Sequence, residues 1–322
     1  MTAYTDNDII SYSYDFNNRI TEENHSGKYI RYSYDDAERV TAVLTNYGET
    51  RYQYDALDRV TRVIAHDGSA TVYEYDANGN RTVARYSNGA EMTYEYDLLN
   101  RLTREVIKDG NGTIISQYDY TLGKAGERLF ANETYSPLGD NASTAANYPR
   151  EIRYTYDKLY RLTQEKLTKA AGKTNSSTTT TTYAYDSASN RISKIADGVE
   201  TIYTYNALNQ LIGENTEDLG KSVAYAYDKN GNLISQNDGA SSLSYTFNGQ
   251  NQLVRATGNS GQNVFVEEYG YDALGNRISK INENDGTNGI YYLVSTNGSL
   301  SQVLAEVTHS GTSQTLYTRS DG

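Results

Sequence analysis

Cysteine and tryptophan are absent from the 322 residues, which hold two prolines, two methionines, three histidines and four phenylalanines. Without cysteine there is no disulfide and no thiol nucleophile, and cysteine usage says nothing about compartment. With only Pro137 and Pro149, almost nothing interrupts a continuous β-ladder. No run of 18 or more apolar residues occurs, so no helical membrane span is expected. The N-terminus, Met1-Thr2-Ala3-Tyr4-Thr5-Asp6, has neither a basic start nor an apolar run, so no secretory signal is expected in this chain. His25, His66 and His309 are scattered without partners at ligand spacing; exposed strand or turn positions are expected for them, not a metal site. The net charge of −12 and pI near 4.8 argue against nucleic acid or an anionic membrane as partner.

What the chain has in excess is tyrosine, 33 residues of it. Tyrosine prefers sites where the ring is buried and the hydroxyl meets a partner or water. A mean hydropathy of −0.73 with so many aromatics reads as a thin, wet sheet rather than a disordered chain. The tyrosines recur as Tyr-x-Tyr, first at Tyr12, Tyr32, Tyr52, Tyr73, Tyr94 and Tyr118, then at Tyr154, Tyr183, Tyr203, Tyr225, Tyr245 and Tyr269. These 12 copies are spaced by 20, 20, 21, 21, 24, 36, 29, 20, 22, 20 and 24 residues, and a near-fixed period marks a repeat architecture. Two copies depart from the pattern: Thr121 follows Tyr118-Asp119-Tyr120, and Phe247 replaces the second Tyr after Tyr245.

Each unit reads as a β-hairpin. In Tyr73-Glu74-Tyr75 the rings lie two apart and share one strand face. Asp76-Ala77-Asn78-Gly79-Asn80 is turn chemistry, Arg81 begins a return strand, and Asn88-Gly89 reads as a two-residue hairpin turn. Asp67-Gly68, Asp109-Gly110, Asp197-Gly198 and Asp238-Gly239 read the same way. Arg follows the second Tyr by five residues at Arg19, Arg39, Arg59, Arg101 and Arg161, but by six at Arg81, Arg191 and Arg277. That difference predicts two turn lengths, with a bulge or longer loop absorbing the extra residue. The array is expected to run continuously over 1–290, interrupted at 121–150 and extended at 173–182 by the threonine run. Beyond it, Ile290–Val294 and Val303–Val307 read as strands around a turn at Asn297-Gly298. The fold class is all-β, a curved, spiralling antiparallel strip of hairpins with essentially no helix.

The words Tyr269-Gly270-Tyr271-Asp272-Ala273-Leu274-Gly275-Asn276-Arg277 and Tyr94-Glu95-Tyr96-Asp97-Leu98-Leu99-Asn100-Arg101 resemble the YD repeat of the Rhs family. That family includes the C subunits of insecticidal toxin complexes, bacterial wall-associated proteins and the teneurins. The resemblance covers about residues 12 to 290, and Ser299–Glu306 is similar to the stretch leading into the family's C-terminal core. It implies a hollow shell around a variable toxin, with a core segment that plugs the end and in many members cuts itself. This sequence lacks the core's Asp-Pro and Gly-rich signature, so no self-cleavage residue carries over. Residues 291–322 are expected to be strands leading toward that absent core.

The repeat residues recur along a strip, whereas an active site needs one convergent arrangement. Tyr73, Tyr75, Asp76, Arg81, Tyr94, Tyr96, Asp97, Arg101, Tyr269, Tyr271, Asp272 and Arg277 are therefore read as a structural motif. In it Asp caps a turn, while Arg covers a ring or pairs with a carboxylate. Tyr rows are expected to form cross-strand ladders, although a sugar-stacking surface is the alternative for the same rings. Gln210, Leu233 and Gln252 stand where other copies have Arg, as a structural contact tolerates. The calcium-loop pattern fails at Arg81 and Ser87. No enzyme, cofactor or metal site is expected. The main reading is a shell segment of a secreted bacterial toxin protein, located outside the cell or at its surface as part of a longer protein. Its partners are then the rest of the same shell and its cargo. The rival reading is a surface adhesion or carbohydrate-binding module with glycan partners. The first copy is an ordinary repeat and Asp321-Gly322 a turn without a returning strand, so a fragment with open, associating edges is expected.

Overall fold

The computed structural model describes residues 10–135, 149–169, 176–260, 263–282, 289–298, 300–308 and 314–317. The strands in order are β1 (Ile10–Tyr14), β2 (Ile20–His25), β3 (Lys28–Tyr34), β4 (Val40–Thr45), β5 (Gly48–Tyr54), β6 (Val60–Ile64), β7 (Ala70–Tyr75), β8 (Arg81–Tyr86) and β9 (Glu91–Tyr96). There follow β10 (Leu102–Lys108), β11 (Ile114–Leu122), β12 (Arg128–Tyr135), β13 (Arg150–Tyr156), β14 (Leu162–Lys169), β15 (Ser177–Tyr185), β16 (Arg191–Ala196), β17 (Val199–Tyr205) and β18 (Leu211–Thr216). The last are β19 (Lys221–Tyr227), β20 (Leu233–Asn237), β21 (Ser241–Phe247), β22 (Leu253–Ser260), β23 (Asn263–Tyr271), β24 (Arg277–Asn282), β25 (Gly289–Ser295), β26 (Gln302–Thr308) and β27 (Gln314–Leu316). All 27 belong to an antiparallel sheet, and among the described residues the only helical element is the 3-10 turn Glu217–Leu219.

The hairpin is the local unit because its two ends have different chemistry. Each odd strand through β23 passes to the next strand through five residues, from 15–19 to 272–276. In the first such turn the Asp15 amide donates to the Arg19 carbonyl and the Asn18 amide to the Asp15 carbonyl, with Asn18 at φ 62°. Asn tolerates this left-handed conformation because its short polar side chain bonds locally. The partner of the second Tyr is always the sixth residue after it: Tyr14 opposite Ile20, Tyr75 opposite Arg81, Tyr96 opposite Leu102 and Tyr271 opposite Arg277. The turn therefore does not come in two lengths. Arg occupies either the last turn position or the first strand position, and the register shift beside the Tyr is common to both kinds. The even-to-odd connections carry the variation, from two residues (26–27) to 14 (136–149). This variation accounts for the uneven repeat spacings.

Three further expectations are corrected. The Tyr86–Ala90 turn has a three-residue loop, closed by bonds from the Gly89 amide to the Tyr86 carbonyl and from the Tyr86 amide to the Ala90 carbonyl. In the hairpin after Asp109 the left-handed residue is Gly112 (φ 83°), not Gly110. Gly110 is instead packed: a Cβ there would lie 2.7 Å from the Asn88 carbonyl oxygen, so the two turns touch backbone to backbone. In β11–β12, Tyr120 faces Ala131 and Leu122 faces Arg128, so Tyr120 and Leu122 hold the places of the Tyr pair and the apparent copy at Tyr118 is displaced by two residues. The turn 123–127 has the common backbone bonds, so the hairpin pattern runs on to Tyr135. Residues 136–148, within the expected interruption, lie outside the described residues, as do His309 and the expected turn at Asp321-Gly322.

The chain forms two compact units, 1–69 with 223–322 and 70–222. In the first, Ile30, Tyr32, Leu293 and Ala305 make a buried cluster, so β3 packs face to face on β25 and β26. Ile20, Tyr34, Val40, Val43, Leu304, Val307 and Leu316 close around it. In the second, Tyr73, Ala84, Val106, Ala131, Ile152 and Tyr203 are the buried hydrophobic residues.

Candidate functional site

The repeated motif links each hairpin to the next. The carboxylate of Asp97 accepts bonds from the Leu99 and Arg101 amides through Oδ1, and from Arg101 Nε at 2.7 Å through Oδ2. The same guanidinium donates 2.8 Å to the Gly123 carbonyl in the next hairpin's turn. Arg19, Arg39 and Arg161 likewise reach the carbonyls of Asp35, Asp55 and Asp186. Where Arg has moved into the strand, an amide takes its place. Asn80 Nδ2 donates to Asp76 Oδ2 and to Asn100 Oδ1 of the following turn, both at 2.8 Å. Where the acid is itself an amide, the polarity reverses: Asn206 and Asn248 donate to Gln210 and Gln252 at 2.7 Å. The substitutions at Gln210 and Gln252 are thus halves of exchanged pairs. The Arg59 guanidinium, helped by the Arg59 and Leu57 amides, holds the Asp55 carboxyl below the usual carboxylate range. The Asn80 side chain does the same for Asp76.

The second Tyr forms the other link. Tyr96 Oη donates 2.8 Å to the Arg81 carbonyl of the preceding hairpin, and Tyr271 Oη 2.9 Å to the Leu253 carbonyl. Where Arg opens the return strand, its guanidinium covers the first Tyr: Arg81 lies 4.3 Å over the Tyr73 ring, and Tyr73 is buried. The motif residues of unit 70–222 therefore meet as Tyr73, Arg81 and Tyr96, with Tyr75 opposite Arg81 in the ladder. Tyr94 is half-buried beside Glu105, its cross-strand partner; burial and that carboxylate push its phenol up to about 12. In the other unit Arg277 stands 5.6 Å over Tyr269 and 5.3 Å over Tyr292, while Asp272 accepts from the Asn276 amide and side chain. The expected ladder of rings is changed by this. Rings two apart on one strand meet at Tyr12–Tyr14 and Tyr118–Tyr120, while Arg19, Arg39, Arg161 and Arg191 bridge to the Tyr of the next hairpin. A cation over a ring face is an attraction of about 0.5–1 kcal/mol at an exposed site, more when desolvated.

One cluster breaks the repetition. Glu23 is fully buried on β2, opposite Tyr12 and Ile30. Its carboxylate accepts from Tyr32 Oη, from the Thr296 amide at 3.0 Å and from Thr296 Oγ1 at 2.7 Å. Ser295 Oγ lies 2.7 Å from Tyr32 Oη, Tyr12 Oη lies 3.2 Å from Thr296 Oγ1, and Asn297 Nδ2 donates to Tyr34 Oη at 3.0 Å. Apart from Tyr32–Glu23, these bonds join residues more than 260 positions apart, fastening the end of β25 onto the first two hairpins. His25 is 5% exposed, not the solvent position expected for it, and its Nε2 stands 3.6 Å from Glu23 Oε2 without a hydrogen bond. Burial pushes the Glu23 carboxyl up, but His25, Tyr32 and Thr296 outweigh it and hold it below its usual value. Burial and the adjacent carboxylate raise the Tyr32 phenol. Sequence reasoning missed this cluster. Its only local signal was a Glu at the cross-strand place that Val43 and Val63 hold in the next two hairpins.

A family profile described as teneurin YD-shell matches residues 140–318, more than half of the chain, and an RHS repeat profile matches 54–91. No curated protein matches. A TcdB2–TccC3–TEV crystal structure is similar over 91% of this chain and 18% of its own, at 18% identity and TM-score 0.46. A TcdB2–TccC3–Cdc42 crystal structure covers 91% and 20% at 17% identity and TM-score 0.41. A Photorhabdus luminescens Tc holotoxin pore with a TccC3 variant covers 91% and 20% at 18% identity and TM-score 0.42. The chain spans about a fifth of the length of these solved chains.

Proposed function

The chain belongs to the teneurin YD-shell family, and on that premise we propose that it is a length of shell wall whose work is structural and not catalytic. The supporting observation is the hand-over from hairpin to hairpin. Asp turns pass a bond forward to the next turn, as Arg101 does to Gly123, and second tyrosines pass one back, as Tyr96 does to Arg81. Such chemistry extends a surface and gathers nothing at one point, whereas catalysis needs a nucleophile, base and stabilising donors in one place. In this reading residues 1–290 are the array and 291–322 lead toward a C-terminal core. The partners are the remainder of the same shell and a toxin enclosed by it, and the protein acts outside the producing cell. The repeat residues Tyr73, Tyr75, Asp76, Arg81, Tyr94, Tyr96, Asp97 and Arg101, with Tyr269, Tyr271, Asp272 and Arg277, serve as joints of that wall.

The test uses the longest protein that contains this chain. A segment following the array is expected to resist added protease at neutral pH and to become cleavable at the urea concentration that melts the tyrosine fluorescence. Cleavage at native conditions, as fast as for the same segment expressed alone, would overturn encapsulation. A glycan array run alongside separates the rival: saturable binding of one sugar class by this chain would favour adhesion.

A further inference from the structure

Glu23 has no role in extending the wall. It is a buried carboxylate whose donors come from two places, its own hairpins (Tyr32) and the end of β25 (Thr296). Removing the acceptor charge leaves buried donors unmatched, and that is worth more than the ordinary net value of a hydrogen bond. We propose that β25 and β26 form a strap seated on β1–β3 by Glu23, that acid releases it, and that His25 guards the release.

The groups facing Glu23 and His25 from each packed element are few. β1 offers Tyr12, and β3 offers Lys28, Tyr32 and Tyr34. Lys28 Nζ stands over the Tyr291 ring of β25 at 5.2 Å, and Arg19, held by Asp15, lies over Tyr34. At the end of β25 and just after it come Ser295, Thr296 and Asn297, none of which ionises in the accessible range. Glu23 is therefore the carboxylate of this cluster, and His25 the basic side chain nearest to it. The Nε2 of His25 sits at ion-pair distance and has no other bond. The His25 ring beside it favours the ionised carboxylate, against burial, which favours the protonated one. The sign follows from the depressed carboxyl value: the seating is fully present above the ordinary glutamate range and is lost as pH falls through the lowered value.

Amide hydrogen exchange of the whole chain, corrected for intrinsic pH dependence, reads the strap at 289–308 against β9–β10 as internal reference. In the wild type, protection of 289–308 is expected to hold through mild acid and to disappear below the ordinary carboxylate range, before 91–108 opens. Glu23→Gln should speed exchange of the strap at least tenfold at pH 7 without changing 91–108. His25→Gln should leave the strap closed at neutral pH and move its release to higher pH, because one of the contributions that lower the Glu23 carboxyl is lost. If Glu23→Gln fails to fold, Thr296→Val, which removes one donor and leaves the carboxylate, should give a smaller acceleration confined to 289–308. An unchanged strap in Thr296→Val or Glu23→Gln, or the same release pH in His25→Gln, would overturn the proposal.

Discussion

Unit 70–222 and unit 1–69 with 223–322 are made of the same hairpin and differ in what covers the tyrosines. In the first, Tyr73 and Tyr203 are buried under the guanidiniums of Arg81 and Arg191 within the hairpin array itself. In the second, Tyr32 is buried under β25 and β26, strands that lack the Tyr-x-Tyr-Asp word, and its hydroxyl ends on a carboxylate. The difference separates two tasks. The hairpin turn with its repeated word fixes register and passes bonds along, in both units. A core able to hold an ionised glutamate forms where a different stretch of chain lies across the tyrosine face.

The largest test of that separation is Leu293→Ala. Leu293 is 2% exposed at the centre of the face-to-face cluster, and truncation there should lose about 2–5 kcal/mol in urea denaturation. Ile152→Val in the other unit, also buried, should lose about 0.5–1.5 kcal/mol. Equal losses after scaling for atoms removed would mean that both units have the same kind of core. Next in size is Tyr96→Phe, which removes the bond to the Arg81 carbonyl and should lose about 0.5–1.5 kcal/mol. Tyr14 belongs to the first hairpin and is 54% exposed; Tyr14→Phe should stay within about 0.5 kcal/mol of wild type, as surface changes usually do. A loss at Tyr14 as large as at Tyr96 would show that the backward link is not what the hydroxyl contributes.

The smallest expected effects concern the turns, which the two units share. Asp97→Asn and Arg101→Gln each leave a mismatched pair, whereas the double change recreates the amide pair of Asn206 and Gln210. The melting temperature of the double variant should fall by less than the two single losses added together. A fall equal to that sum would deny the pairing. Because the Asp97 carboxyl is held below its usual value, chiefly by the Arg101 side chain, this turn's contribution is present above the ordinary aspartate range and lost as pH falls through the lowered value. In the double variant, protection of the Arg101-position amide should no longer follow pH as it falls through and below the ordinary aspartate range. A wild-type pH profile in that variant would remove the carboxylate from the account.

Much of this was legible in the sequence. The Tyr-x-Tyr count matches the hairpins through β24, the strands after residue 289 were readable from their apolar runs, and Asp as turn cap follows from its side-chain chemistry. The constant register was not legible, because Arg drew attention to itself while the position that counts is the residue opposite the second Tyr, filled by Ile20, Val40, Leu102 or Arg81 alike. The displaced copy misled for the same reason: Tyr118-Asp119-Tyr120 spells the word, but the register places Tyr120 and Leu122 there. The Glu23 cluster was invisible because its Thr296 donors lie 273 residues away, and no local pattern reports a pairing of that range.

The constancy of the five-residue turns against the variable connections has a consequence for how such chains drift and how they are compared. A residue gained or lost inside 97–101 would break the Asp97 bonds together and turn the following strand over, moving its whole set of side chains to the opposite face. The same event in a connection after an even strand, where the length already varies, leaves those bonds in place. Insertions and deletions should therefore accumulate on the even-to-odd side only. An alignment that forbids gaps between Asp and the residue opposite the second Tyr, and makes them cheap after each even strand, should find relatives that a uniform gap penalty hides. The same side is where a foreign peptide can be grafted without disturbing the alternation.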